Sequence, residues 1–182
     1  AIVGIIVLFK AYQNFYMEPL EEEAKIEAYM AELYFQKDSF NLALNGDGQY
    51  AGFLDVASDY SSTKVGNLAN YYAGICYLQT GEYQNAIDYL EEFSSNDIIL
   101  SSLALGCMGD AYMELGDTDA ALASYADAVS NSDNDFTAPR YMMKQAMIYT
   151  SNGDNNKALD LFRAIQSDYK NSPEANGIER YI

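Results

Sequence analysis

A spacing of Tyr, Gly and Ala that occurs three times constrains the fold of this 182-residue chain more than any other feature. The skeleton Tyr-x3-Gly-x4-Ala begins at Tyr77, at Tyr112 and at Tyr149, so successive copies are 35 and 37 residues apart. Periods of roughly 20 to 50 residues are typical of repeat architectures, in which each unit buries its apolar face against its neighbours. The spacing therefore predicts a stack of similar units.

Each copy has the pattern of two helices joined by a turn. Apolar residues occur at helical intervals before each Gly of the skeleton, and a Gly can end a helix in the left-handed conformation at little cost. Asp117 and Asp154, which directly follow two of these glycines, are predicted to cap the second helix. The Ala of the skeleton is expected where the two antiparallel helices approach most closely, because a larger side chain would force them apart.

These hairpins resemble the tetratricopeptide repeat, a helical hairpin of about 34 residues. The copy that begins at Ser102 fits the motif best, at Leu105, Met108, Gly109, Tyr112, Gly116, Ala121, Tyr125 and Ala128. The copy that begins at Asn67 departs from it, with Asn70 at a usually aromatic position and Phe93 at a usually small one. The resemblance implies an all-α tetratricopeptide-repeat solenoid with three repeats over residues 67–171, which binds proteins and is not an enzyme.

The segments on either side of the three repeats are also predicted to be helical. Residues 18–66 have the pattern of a divergent N-terminal hairpin, with one helix over 24–44 and a second over 50–59. At the other end, Ser172 and the Pro that follows it are suited to begin a helix. Residues 172–182 are therefore predicted to form a C-terminal capping helix that closes the stack.

The run Ala1–Phe9 is apolar without interruption, and Lys10 and three aromatic residues follow it within seven positions. It can be the C-terminal part of a membrane helix that continues before Ala1, the remnant of a signal peptide, or a buried helix. The aromatic and Lys flank is typical of a membrane interface, so we interpret residues 1–17 as part of a membrane anchor. Acidic residues rather than a Lys/Arg cluster follow, which favours the non-cytoplasmic side.

An apolar helix comes first along the chain, followed by the aromatic stretch from Tyr12 to Tyr16, an acidic helix and the repeat hairpins. This order of segments resembles that of the ancillary SecYEG translocon subunit family. The resemblance implies a single-pass inner-membrane protein with a periplasmic repeat domain, which acts as an adaptor or holdase. Its implied partners are proteins or peptides, among them translocon subunits and secretory clients. The alternative is a soluble or lipid-anchored scaffold, periplasmic or associated with the outer membrane, in which residues 1–16 are a docking helix.

Composition and motifs argue against several other functions. The net charge of −17 opposes binding to nucleic acid. The chain has no His, which removes the commonest general base and most catalytic zinc sites. We find no nucleophile motif, no phosphate-binding loop and no metal motif, so no catalytic residue, cofactor or metal is expected. Cys76 and Cys107 lie in apolar runs and are interpreted as structural thiols.

The candidate binding surface is the concave face, which the first helices of tetratricopeptide repeats line. Repeat stacks bind extended partners on such a face. Met and Tyr there suit a partner of variable sequence, because Met adapts its shape and Tyr adds a polar group to a large apolar area. Counting along the motif predicts as partner-binding residues Tyr71, Ile75, Leu78, Asp110, Met113, Glu114, Met143 and Met147.

Overall fold

The computed structural model describes residues 2–131 and 133–182, and all regular secondary structure within these ranges is helical. The protein forms two compact units, one up to Phe93 and one from Ser94, each with its own apolar core. The helices of the first unit are α1 (Ile2–Tyr12), α2 (Glu18–Phe35), α3 (Phe40–Asn45), α4 (Phe53–Asp59), α5 (Lys64–Thr80) and α6 (Tyr83–Glu92). Those of the second unit are α7 (Ile98–Leu115), α8 (Thr118–Asn131), α9 (Ala138–Ser151) and α10 (Asn155–Asp168).

A π-helical segment, Gln13–Met17, joins α1 to α2, so the backbone is helical without a break from Ile2 to Phe35. Six large apolar side chains between Val3 and Phe9 are 51–74% exposed. At the usual rise per residue, α1 is about 16 Å long, which is roughly half of a hydrocarbon core of about 30 Å. The anchor over residues 1–17 stays a prediction, and its first residue lies outside the described residues.

The region 18–66 differs from the predicted two-helix hairpin, because it contains three helices. The helix predicted over 24–44 is interrupted at 36–39, where Asp38 has a φ of 54°. Asp tolerates this left-handed conformation better than most residues, and a new helix, α3, begins after Ser39. The core of this unit includes small alanines of α2 and α3 together with the large apolar residues of α4.

The start of α5 is fixed by a side chain from α2. The Glu21 carboxylate accepts hydrogen bonds from the backbone N–H groups of Lys64 at 2.8 Å and Val65 at 3.2 Å. The Thr63 hydroxyl caps the same helix and accepts from the N–H of Gly66 at 2.9 Å. Because the first N–H groups of a helix have no partner within it, these acceptors stabilise α5 and connect it to α2.

The three predicted hairpins are present as α5–α6, α7–α8 and α9–α10. Gly81, Gly116 and Gly153 have φ values of 84°, 78° and 81° at the turns, which confirms the predicted left-handed residues. The skeleton alanines Ala86, Ala121 and Ala158 are all buried. Asp117 caps α8 by accepting from the N–H of Ala120 at 3.1 Å. The predicted cap at Asp154 is wrong, because this side chain instead pairs with Lys157 at 3.2 Å.

Close packing in the second unit depends on a glycine outside the repeat skeleton. A Cβ atom on Gly106 of α7 would lie 1.9 Å from Cζ of Tyr141 on α9, far inside van der Waals contact. The Tyr141 ring stacks on Tyr125 of α8, with 5.9 Å between the ring centroids. Gly106 therefore leaves the space into which Tyr141 packs.

The predicted capping helix over 172–182 is instead two short 3-10 turns, Pro173–Ala175 and Ile178–Tyr181. The Ser172 hydroxyl caps the first turn, as predicted, by accepting from the N–H of Ala175 at 3.2 Å. A continuous helix is interrupted at Gly177, which has a φ of 72°. Ile178 still inserts into the core of α9 and α10, so the segment covers this end of the unit.

Within the described ranges, α7 alone has the length and hydropathy of a membrane span. Its small residues Ala104, Gly109 and Ala111 are buried, and it packs along α8 as the first helix of a hairpin. A core helix of a water-soluble domain meets the same criterion of length and hydropathy. The buried residues of α7 make up 28% of the helix.

Candidate protein-binding surface

Three of the predicted binding residues lie on α5 in the first unit, and one of them is buried. Tyr71 is only 8% exposed, because its ring packs against Phe93 and Tyr72 at centroid distances of 5.2 and 5.7 Å. Ile75 and Leu78 are half-buried. Tyr71 therefore belongs to the core of its unit, and the accessible apolar surface of this group comes from Ile75 and Leu78.

Asp110 of α7 is held by the two following helices. Its Oδ1 accepts a hydrogen bond of 2.5 Å from the hydroxyl of Tyr125 on α8, and it also contacts the Lys144 ammonium on α9. The same ammonium lies 5.5 Å from the centroid of the Tyr125 ring. Burial of Tyr125, followed by its hydrogen bond to Asp110, raises the pKa of this phenol well above its usual range. Asp110 thus joins three helices of the second unit.

Met113 and Glu114, one turn further along α7, are open to solvent. The Met113 side chain is 38% exposed, and Glu114 is exposed beside it. A flexible thioether next to a solvated carboxylate makes this end of α7 both adaptable and acidic. Of the predicted residues on α7, these two are the ones available to a partner.

Met143 and Met147 lie four residues apart on α9, and both line an open cleft of about 280 Å³. Met143 is half-buried and packs against the core of α9 and α10, whereas Met147 is 37% exposed. The C-terminal turns supply the remaining lining residues, which are Pro173, Glu174, Asn176, Arg180 and Tyr181. The two methionines thus face a segment that sequence reasoning treated only as a cap.

Sequence reasoning also missed several exposed apolar residues of the second unit, including two at the start of α7 and one before α9. Ile98 and Ile99 begin α7, and Phe136 precedes α9, where the Arg140 guanidinium lies 5.7 Å from its ring centroid. These residues were missed because only inward positions of the first helices were counted. The available signal was a pair of large apolar residues directly after the polar stretch that ends at Asp97.

One loop carboxylate has a structural partner, and the two thiols have unfavourable ionisation. In the described part of the chain no three potential metal ligands of the Cys, Asp and Glu types come together. Asp133, in the polar loop before α9, accepts a hydrogen bond of 2.8 Å from the Tyr169 hydroxyl. Burial raises the pKa of Cys76 to about 12 and that of Cys107 to about 11, so both thiols are poor nucleophiles at neutral pH.

Comparison with known proteins identifies repeats in both units. Two family profiles, each described as tetratricopeptide repeat, match residues 68–97 and residues 108–176. The first match covers most of α5 and all of α6, and the second extends from the middle of α7 to the first C-terminal turn. No curated protein has a significant match to the sequence.

Proposed function

Because the chain is a tetratricopeptide-repeat protein and hence a protein-protein interaction module, we propose that it is a membrane-anchored adaptor or holdase for exported proteins. In this proposal α1 belongs to the anchor and the repeats lie in the periplasm, where they bind Sec translocon subunits and secretory clients. The observation that carries the proposal is the exposed apolar α1, which continues through the π-helical segment into α2.

The exposure of α1 supports an anchor because it is unfavourable in water. Burying one large apolar side chain contributes roughly 1.5–3 kcal/mol. Six such side chains between Val3 and Phe9 are exposed. Tyr12, Phe15 and Tyr16 are also exposed, directly beyond the run, as expected for residues at a lipid headgroup boundary. Lipid would cover the apolar run and leave α2 in water.

The second unit supports a partner of variable sequence. Met113 and Met147 are exposed, and thioether side chains adapt to different apolar partners. The charge of −17 opposes contact between the repeats and anionic lipid headgroups. A repeat domain of this kind stays in solution near the membrane and remains open to polypeptide clients.

Site-specific photocrosslinking in cells tests the proposed partners. A benzoylphenylalanine at Met113 or at Met147 is suitable because both side chains reach solvent, whereas Tyr71 is buried. Asp127, exposed on α8, is the matched control position. We expect secretory clients or translocon subunits from the two Met positions and few products from Asp127. Recovery of cytosolic proteins alone would refute the proposal.

Flotation with phospholipid vesicles tests the anchor separately. The protein should float with the vesicles, and Leu8→Glu should reduce flotation because it places a charge in the apolar run. Ile26→Glu is the control, since Ile26 is equally exposed but lies on α2, beyond the π-helical segment. Equal effects of the two substitutions would contradict insertion of α1 into lipid.

The alternative proposal is a soluble or lipid-anchored scaffold that organises an envelope complex. It is favoured by the exposed apolar side chains of α1, because a partner protein would cover them as well as lipid would. In this case residues 1–16 dock onto a partner protein. The protein without a covalent lipid would then not float, while Leu8→Glu would abolish a protein crosslink from α1.

A further inference from the structure

Three Asn-Gly pairs lie at the ends of helical segments, namely Asn45-Gly46, Asn152-Gly153 and Asn176-Gly177. In such a pair the backbone nitrogen of Gly can attack the side-chain carbonyl carbon of Asn, because Gly has no side chain that hinders the approach. A C–N bond forms, the N–H proton leaves with the amide group as ammonia, and a five-membered succinimide ring closes. Water then opens the ring at either carbonyl group and leaves an aspartyl or an isoaspartyl residue.

Two of the three pairs are held by hydrogen bonds in the folded protein. The N–H of Gly46 donates to the carbonyl oxygen of Leu42 at 2.9 Å, and the N–H of Gly153 donates to that of Thr150 at 3.1 Å. The side-chain amide of the first pair also donates, at 3.0 Å, to the carbonyl oxygen of Asn41. Ring closure at either pair therefore requires a helix end to open first.

The third pair, Asn176-Gly177, has none of these restraints. Within the described ranges no hydrogen bond uses the Gly177 N–H group or the Asn176 side chain. Both residues are exposed between the two short 3-10 turns, and a Cβ atom added to Gly177 would meet no atom within 4 Å. The reacting nitrogen therefore has open space around it and no hydrogen bond to break.

We propose that Asn176 is a site of spontaneous deamidation in the folded protein, and that its isoaspartyl product loosens the C-terminal turns of the second unit. Asn176 lines the cleft next to Met147, so either product adds a carboxylate to a cleft that Arg180 also lines. The isoaspartyl form also adds a methylene group to the main chain, two residues before Ile178. This side chain is 1% exposed in the core of α9 and α10, and close packing leaves no room for a shift in its position.

Peptide mapping by mass spectrometry, after incubation of the full 182-residue protein at mildly alkaline pH, measures deamidation at each pair. One hydrogen bond corresponds to roughly a three- to tenfold change in an equilibrium, and opening a helix end breaks more than one. Asn176 should therefore convert at least about tenfold faster than Asn45 or Asn152. In guanidinium chloride the three rates should be alike, because the restraints of the fold are removed. Hydrogen exchange at the Gly177 amide should likewise be faster than at Gly46 and Gly153.

Two variants separate this site from the rest of the chain. Asn176→Gln should remove most of the ammonia released by the folded protein, because its longer side chain has to close a six-membered ring. Asn152→Gln is the matched control and should leave the release of ammonia nearly unchanged. The isoaspartyl form, separated by chromatography, is then compared with Asn176→Asp, which has the same carboxylate on a main chain of normal length. The isoaspartyl form should unfold at a lower urea concentration.

The inference would be overturned if Asn45 or Asn152 converted as fast as Asn176 in the folded protein. An intact Asn176, after a time in which the unfolded protein has converted at all three pairs, would overturn it as well. Equal urea midpoints for the isoaspartyl form and Asn176→Asp would overturn the predicted loosening of the C-terminal turns. None of these results affects crosslinking from Met113 in cells, which tests the proposed function itself.

Discussion

Removal of the Tyr125 hydroxyl tests whether Asp110 is a structural residue or is available to a partner. The Tyr125 ring is buried, and its hydroxyl is 2.5 Å from Oδ1 of Asp110. A hydrogen bond to a charged group contributes about 1.5–3 kcal/mol. The side chains of Asp110 and Lys144 are 34% and 38% exposed, so water and the ammonium compensate for part of the loss. We therefore expect Tyr125→Phe to lower the free energy of unfolding by about 1–2 kcal/mol.

Urea and thermal unfolding measure this change. For a protein of this length, a loss of about 1 kcal/mol corresponds to about 2–4 °C, so the melting temperature should fall by roughly 2–8 °C. Tyr169→Phe is the control, because its hydroxyl donates to the exposed Asp133. We expect this control to lose about 0.5 kcal/mol or less. Combining Tyr125→Phe with Asp110→Asn should cost less than the sum of the two single changes. If Tyr125→Phe costs no more than the control, Asp110 is not a structural link between helices.

Three further predictions concern charge, pH and thiol reactivity. Glu21→Ala should lower the free energy of unfolding by about 0.5–2 kcal/mol, the range measured for the loss of a helix cap. The reason is that two N–H groups at the start of α5 lose their acceptor. Urea unfolding measures it, and an equal loss in the exposed control Glu27→Ala would contradict it. The pKa of Tyr169 is raised to about 12, first by burial, because folding favours the protonated hydroxyl. This contribution to the free energy of unfolding is present below pH 10 and is lost between pH 10 and about 12. Thermal melts at rising pH should show this loss, and an unchanged slope in Tyr169→Phe would contradict the assignment. At pH 8, Cys76 and Cys107 should react with Ellman's reagent far more slowly in the folded protein than in urea, and equal rates would contradict their raised pKa values.

The hairpin turns could be predicted from sequence because their signals are local. A helix that ends at Gly81 needs only a residue that tolerates positive φ, and one glycine in the sequence is enough to indicate such a turn. The same reasoning applies at Gly116 and Gly153. The buried Ala86 follows from the same spacing, since helices that pack closely need a small side chain at their contact. Because these signals recur at a fixed spacing, the three hairpins could be recognised as tetratricopeptide repeats.

The segments outside the repeats were harder to predict because apolar periodicity continued across their breaks. Phe40, Ala43 and Leu44 have helical spacing and extend the apolar pattern of α2, although the backbone turns at Asp38. At the other end of the chain, Asn176 and Gly177 form an Asn-Gly pair, which is a turn signal. The predicted helix rested on the cap at Ser172 and did not take this pair into account, so it was too long.

The candidate binding residues could be placed on helices from sequence, but the accessibility of each one could not. Tyr71 and Met113 are both predicted to face inward, yet the Tyr71 ring is covered by Phe93 and the Met113 side chain reaches solvent. The difference depends on residues far apart in the chain, which a repeat motif does not specify. Asp110 shows the same dependence, because its partners come from α8 and α9.

The 27 acidic residues give the protein one overall charge, but contacts divide them into groups with different roles. Glu21 accepts from two backbone N–H groups of α5, and Asp47 accepts from two in its own loop and from the Tyr34 hydroxyl. Asp110 accepts from a buried phenol, so all three have partners that folding provides. Within the described residues, Glu174 alone combines a buried oxygen with the lack of any donor. Since desolvation without a partner is unfavourable, the burial of this oxygen opposes folding, whereas the other three carboxylates support it.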